Sequence, residues 1–321
     1  ISPEGLSPRL IKNGYDSYSM LNGRVYALPL DPSVQIFLYR TDLFHDAKLC
    51  RAYYERFHEN LVVPTTYEQY LHAAEFFTRS CNPDSPTEYG TTMTCGSASV
   101  AASDFMPFYL SRIDRFGATP DTLRLDCPEM QAAMRQYHAL EKFSCKQNWW
   151  GDSIQKFADG KTAMTVIYSN YAAELINSGN SVVVGRVGAA ILPGCKPLLG
   201  GGIVGISRYS QKAEACKQFF RWYYSADVAS LLVRLGGTSP IVDAYEDFQN
   251  YSIFPWMNTS KKSFGLGQRG VKNQIPERFS IPKYEFAVGT AIRNVVQDLM
   301  TPEDASRMAQ ALYDAADPVS R

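Results

Sequence analysis

The tract from Asn148 to Tyr171 constrains this chain more than any other segment, because it lays out a helix, its stop and a strand without a gap. Asp152 is a good N-cap residue. Ile154, Phe157 and Ala158 follow at helical spacing, and Gly160 supplies a helix stop. A β-prone run over residues 162–168 comes next and ends in Tyr168-Ser169-Asn170-Tyr171. The adjacent indoles Trp149 and Trp150 precede the helix. Aromatics and an amide at the end of a strand, close behind two tryptophans, suit one wall of a small-molecule cleft.

The same alternation runs along the chain. Residues 25–30 and 34–39 read as short strands split by Asp31-Pro32-Ser33, and a helix is expected over 64–79. Residues 91–94 are β-prone and lead into Gly96-Ser97-Ala98-Ser99, a small-residue helix entrance whose N–H groups suit a ligand oxygen. The spacing predicts a helix over 128–143 with Met130, Ala133, Met134, Tyr137 and Leu140 on its apolar side. Strands are expected over 182–187, 189–192 and 203–206, and helices over 213–224, 227–235 and 242–251. Residues 254–278 read as loop, and two terminal helices as 282–300 and 302–316, the second opening on Pro302-Glu303-Asp304. Strands alternating with helices make the class α/β.

Charge and composition exclude several functions. Thirty-two basic and 32 acidic residues leave a formal net charge of zero, which argues against a nucleic-acid surface. No apolar run approaches the ~20 residues of a membrane span. No secretion signal is visible, which leaves a mature, trimmed or cytosolic chain open. The seven cysteines show no C-x-x-C spacing, so zinc and redox chemistry lack support, and their odd number leaves at least one free. Cys81 and Cys95 flank a turn-rich loop that a disulfide would suit, yet separate thiols are the expectation, as in a reducing compartment or an anaerobic exporter. Residues 200–205 satisfy G-x-G-x-x-G. Ile203 onward is itself β-prone, however, and no helix opens on the glycines, so a flexible crossover explains them better than a dinucleotide. There is no nucleophile elbow, Walker loop or H-E-x-x-H, and Asp152, Glu88, Asp104 and Glu285 are isolated carboxylates. No catalysis, no metal and no cofactor are expected.

The order of several motifs is informative. Trp150-x-Asp152-Ser153 with Phe157, Gly160-Lys161 and Ala163-Met164 resembles a motif of the family 1 extracellular solute-binding proteins, the maltose-binding-protein-like group. Residues 22–29 (NGRVYALP), 37–44 (FLYRTDLF), 64–70 (PTTYEQY), 200–207 (GGGIVGIS) and 236–242 (GGTSPIV) resemble further family motifs in the family's order. The resemblance implies a two-lobed, type II periplasmic-binding-protein-like fold. It implies a non-catalytic binder of a small polar solute, most of all a sugar or oligosaccharide, that works with ABC transporter membrane subunits outside the cytoplasm. A ligand-sensing domain of a regulatory protein, cytoplasmic in that case, is the alternative. Family members open with strands and helices that build much of the first lobe, and this sequence is expected to lack them. The layout gives a partial first lobe of 1–30 and 205–245, a second lobe of 36–197 and 250–321, and crossovers at 31–35, 198–204 and 246–249. So short a first lobe should expose an unpaired edge or an apolar face.

On this reading the candidate contacts are Ser33 in the first crossover, Ser97 and Ser99 at the helix entrance, and Trp149, Trp150, Tyr168, Asn170 and Tyr171. Tyr284, on the helix that borders the family's cleft, completes the set. Aromatic faces pack on the C–H face of a sugar ring, while amides and hydroxyls pair with its OH groups. Asp31, Gly200, Gly201 and Gly202 are the hinge candidates, and Tyr209, Trp222 and Tyr223 are assigned to core or lobe packing.

Overall fold

A computed structural model describes residues 10, 19–21, 24–113, 124–177, 179, 181–247, 249–250, 254–267 and 281–315. The chain enters through β1 (Met20–Leu21), β2 (Arg24–Val25) and β3 (Leu28–Pro29), then forms its longest strand, β4 (Ser33–Arg40). Short α1 (Thr41–Phe44), α2 (Ala47–Phe57) and α3 (Tyr67–Phe76) follow. Then come β5 (Thr91–Thr94), α4 (Ala98–Leu110), α5 (Pro128–Glu141), β6 (Ser144–Gln147), α6 (Trp150–Ala158) and β7 (Met164–Tyr168). The remainder is α7 (Glu174–Asn177), β8 (Val187–Ala190), β9 (Leu199–Gly200), β10 (Ile203–Val204), α8 (Ala213–Tyr223), α9 (Ala226–Arg234), α10 (Met257–Leu266), α11 (Ile281–Val296) and α12 (Pro302–Asp314).

Strand β4 is the axis of the molecule. It pairs antiparallel with β7 on one side and β8 on the other, and its first residues pair with β9 through Ser33–Gly200 and Val34–Leu199. Parallel β5 and β6 extend the sheet beside β7. The Met164 N–H donates to the Gly90 carbonyl at 3.0 Å, and Thr92 and Thr165 share a buried hydroxyl hydrogen bond of 2.7 Å. Strand side chains alternate faces, and both faces of β4 are covered. Phe37 joins a core formed with α3, α4, α5, α11 and α12. Val34, Ile36 and Leu38 join a second core that includes α6 and α10 and continues into Leu28, Leu199, α8, α9 and a 3-10 turn at Val242–Tyr245. A strand buried on both faces reads as a continuous apolar run, which is why residues 36–39 do not alternate.

Local signals place the helices. Thr66 caps α3 in a reciprocal capping box with Gln69, so the helix begins three residues after Pro64, at Tyr67. The five apolar positions expected on α5 are all buried. Helix α6 ends on a Schellman turn, with Gly160 at φ 71° and Lys161 N–H bonded to the Lys156 carbonyl. Its start differs from the sequence expectation. Trp149 is the cap and Asp152 lies in the first turn, where a carboxylate still favours the helix dipole.

Other expectations are corrected by packing. Residues 257–266 form a helix rather than loop, because Met257, Ser260, Ser263 and Phe264 share its buried face and the two serines hide the apolar period. Residues 268–280 lie outside the described residues. Of the two strands expected between 182 and 192 only Val187–Ala190 forms, with Val182 and Val184 exposed in turns. Residues 242–245 make a 3-10 turn, not the start of a long helix. In the smaller part of the molecule the β3–β10 ladder is two residues long. Ile203, Phe219, Trp222, Leu231 and Leu235 are exposed there. Trp222 and Tyr209 therefore lie on the surface rather than in packing, whereas Tyr223 is buried.

Candidate cleft at the strand ends

Strands β5, β6 and β7 run the same way, and β4 runs against them, so the ends of the first three and the start of β4 share one edge of the sheet. Pockets of α/β sheets form outside the carboxyl ends of strands. This edge collects the sequence candidates: Ser97 and Ser99 follow β5, Trp149 and Trp150 follow β6, and Tyr168, Asn170 and Tyr171 close β7. Ser33 opens β4. Gly96 brings the two helix entrances together. A β-carbon there would overlap the Asn148 carbonyl oxygen and lie 2.6 Å from its Cα, so Ser97 and Trp149 begin neighbouring helices.

The candidates divide by exposure. Trp149 is 49% exposed and meets Tyr171 edge-on, ring centroids 6.4 Å apart at 83°. Burial pushes the Tyr171 hydroxyl up; a hydrogen bond from Trp149 opposes this, and the nearby Asp31 carboxylate adds to it. Trp150 is buried, packed edge-on against Tyr168 at 5.1 Å and 88°. Tyr168 in turn lies against Gly200, where a β-carbon would come within 2.7 Å of both its ring and the Ser33 hydroxyl. Trp150 and Ser33 are therefore interior supports of this wall, and Tyr168 lies between them and the surface. Ser97 and Ser99 are exposed with their hydroxyls 3.3 Å apart, and Ser97 caps α4 through the Val100 N–H. Tyr284 is placed elsewhere. It is a core residue whose hydroxyl donates to the Met106 sulfur, because α11 packs that face onto α4.

Asn170 carries the most suggestive polar atom. Its side-chain carbonyl is buried and has no hydrogen-bond partner among the described residues. Buried polar atoms are paired in the great majority of cases, so this acceptor is suited to a donor brought by a ligand or solvent.

The two crossover strands are tied at the same edge. The Leu30 N–H donates to the Gly202 carbonyl at 2.9 Å, and the Gly202 N–H donates to Asp31 Oδ1 at 2.6 Å. Gly201 adopts φ 98°, a region that favours glycine, and a β-carbon there would overlap the Asp31 carbonyl oxygen. Sequence reasoning took Asp31 only as a hinge residue. Its carboxylate also faces Tyr171 and Tyr223, whose hydroxyl bonds the Leu30 carbonyl. Only the fold brings residues 31, 171 and 223 together, so no sequence signal exists for that role. Among the described residues no three His, Cys, Asp or Glu side chains converge to hold a metal, all seven cysteines are free, and no helix is long and apolar enough to cross a membrane.

Comparison with known proteins decides the family. The sequence profile of the bacterial extracellular solute-binding proteins matches residues 4–256. The chain belongs to this family. Solved structures share its fold, a type II periplasmic-binding-protein fold of the α/β class. One is an ABC transporter solute-binding protein of Agrobacterium radiobacter K84 in complex with ribitol, with 21% identity and a TM-score of 0.80. The match covers 97% of this chain and 77% of that one. The maltose-bound MalE3 of T. maritima matches at 20% identity and a TM-score of 0.72, over 97% of this chain and 81% of that one. A solute-binding protein of Agrobacterium vitis S4 with bound D-mannitol matches at 19% and 0.73, over 92% and 73%. The solute-binding protein described here thus resembles proteins whose structures hold polyols and a disaccharide.

Proposed function

We propose that this solute-binding protein captures a polyol or small carbohydrate at the strand-end cleft and passes it to the membrane subunits of an ABC importer outside the cytoplasm. The observation that carries this reading is the exposed Trp149 ring set against Tyr171, beside an Asn170 carbonyl that has no partner among the described residues. A ring face offers area to C–H groups, while the amide, Ser97, Ser99 and Asp31 offer acceptors to hydroxyls. Asp31 and Gly200–Gly202 tie the two crossover strands to the same edge, so a ligand touching both parts favours the closed arrangement by its differential affinity. Binding is the whole task. No pair of carboxylates or nucleophile-and-base set takes part in this reading.

Titration calorimetry and thermal unfolding against ribitol, D-mannitol and maltose test it. A ligand at a hundred times its Kd should add about 2.7 kcal/mol of stability. Trp149→Ala should weaken binding by about 10-fold to 100-fold, in line with the ~1–3 kcal/mol lost with an aromatic contact. If a wide sugar and polyol panel gives neither heat nor stabilisation, or Trp149→Ala binds as tightly as the parent, the assignment is wrong.

A further inference from the structure

Two helix entrances wall the cleft, and one buried polar chain holds both. Thr94 ends β5. Its N–H donates to Asp104 Oδ2 on α4 at 3.1 Å, and its hydroxyl is 2.8 Å from the Ser153 hydroxyl on α6, one turn below Trp149. The Tyr137 hydroxyl on α5 donates to the same Asp104 oxygen at 2.6 Å. Asp104 is only 9% exposed and has no ion-pair partner among the described residues. The titratable groups that face it are Tyr67 and Tyr70 from α3, Tyr137 from α5 and Cys95 from the turn after β5. All four are neutral at ordinary pH. Arg112 and Cys195 act on Tyr67, and Lys146, Arg293 of α11 and Glu141 act on Cys95, all at the edge of the group. Beside Asp104 lies a small cavity also lined by Tyr67, whose buried hydroxyl has no partner among the described residues.

We propose that Asp104 is a proton-sensing positioning residue that sets the β5–α4 turn and, through Thr94 and Ser153, the start of α6, so that proton binding here tunes the cleft. The chemistry is direct. A carboxylate is the stronger acceptor for the Thr94 N–H and the Tyr137 hydroxyl, whereas the neutral acid relaxes both bonds and offers a proton toward the Tyr67 side. Burial pushes the Asp104 carboxyl up to about 7, with the bonds from Tyr137 and Thr94 holding it down. The change of state therefore falls at neutral pH.

The sign for stability follows from linkage. A carboxyl raised in the folded state contributes stability that is fully present below its unfolded value near 3.8 and is lost as pH rises through about 7. The proposal rests on the reading of these entrances as the cleft wall, yet its test needs no ligand, so its failure is distinct from a failure to bind sugars.

Backbone amide resonances of the whole chain, followed from pH 5.5 to 8.5 (about the range in which a group near neutrality changes charge), make the test. Thr94, Ser97 and Trp149 are expected to titrate together with a midpoint near 7, and Asp104→Asn should abolish that midpoint. Tyr137→Phe removes a donor to the charged form and should move the midpoint upward; it keeps the test alive if the asparagine variant does not fold. A Thr94 amide without a midpoint in this range overturns the proposal. So does a midpoint that persists in Asp104→Asn, or that moves Thr94 while Ser97 and Trp149 stay fixed.

Discussion

Gly289→Ala should be among the most damaging single-methyl substitutions in this solute-binding protein. Helices α4 and α11 cross with Gly289 directly on Ala98, the first residue of α4. A β-carbon at 289 would overlap the Ala98 carbonyl and lie 2.7 Å from its Cα. Both obstructing groups are backbone, so no side chain can rotate aside; one helix must move. Overpacking typically costs about 1–3 kcal/mol, sometimes more, and this contact warrants the upper end, roughly 3 kcal/mol. Helix α4 carries the proposed contacts Ser97 and Ser99 at its start, so a shift of α4 should lower ligand affinity together with stability. Gly265→Ala is the control. Gly265 lies within α10 with nothing inside 4 Å of its added carbon, so the exchange should stabilise by about 0.5–1 kcal/mol through helix propensity alone. Urea unfolding of the pair gives opposite signs if the packing is right. Equal midpoints would show that α4 and α11 do not meet this way.

Gly201→Ala is the second large effect, and it acts at the crossover. The residue sits at φ 98°, and an added carbon would overlap the Asp31 carbonyl oxygen and lie 2.8 Å from Pro32 Cα. Two costs combine: roughly 1–2 kcal/mol for an L-residue in a left-handed conformation, and the separation of strands held by the Leu30 and Gly202 bonds. Gly185→Ala isolates the first cost, since Gly185 has φ 74° and open space around it. Gly201→Ala should therefore lose about 2 kcal/mol more than Gly185→Ala in thermal or urea unfolding, within the usual range of overpacking costs. It should also change the radius of gyration in solution scattering. A Gly201→Ala protein with the stability of the Gly185→Ala variant and an unchanged envelope would show that the crossover strands are not closely tied.

The sequence made local periodicity legible and left orientation unread. Helix α5 was predictable down to its buried positions and α6 in part, because Met130, Ala133, Met134, Tyr137 and Leu140, like Ile154, Phe157 and Ala158, are apolar and fall at helical spacing. Helix α10 was not. Ser260 and Ser263 occupy buried positions there, and Ser260 returns its hydroxyl to the Trp256 carbonyl at 2.8 Å, so two polar residues interrupt the apolar period and the pattern looks like loop. Trp149 and Trp150 are neighbours in sequence, yet one is exposed and the other buried, because a helix begins between them and turns each successive residue by about 100°. Tyr284 and Trp222 failed in opposite directions for one reason: an aromatic on an amphipathic helix does not state which neighbours the tertiary fold supplies. Asp31 and Tyr171 are 140 positions apart, and nothing short of the sheet itself could have paired them.

The bare indole and phenyl rings on α8 and the leucines on and just after α9 carry a practical implication for anyone handling the protein. The chain has as many acids as bases, so near neutral pH it lacks the electrostatic repulsion that keeps molecules apart. With Trp222 57% and Leu235 69% exposed, crowding should drive the molecules to adhere through that face, and dilution or moderate acidification should release them.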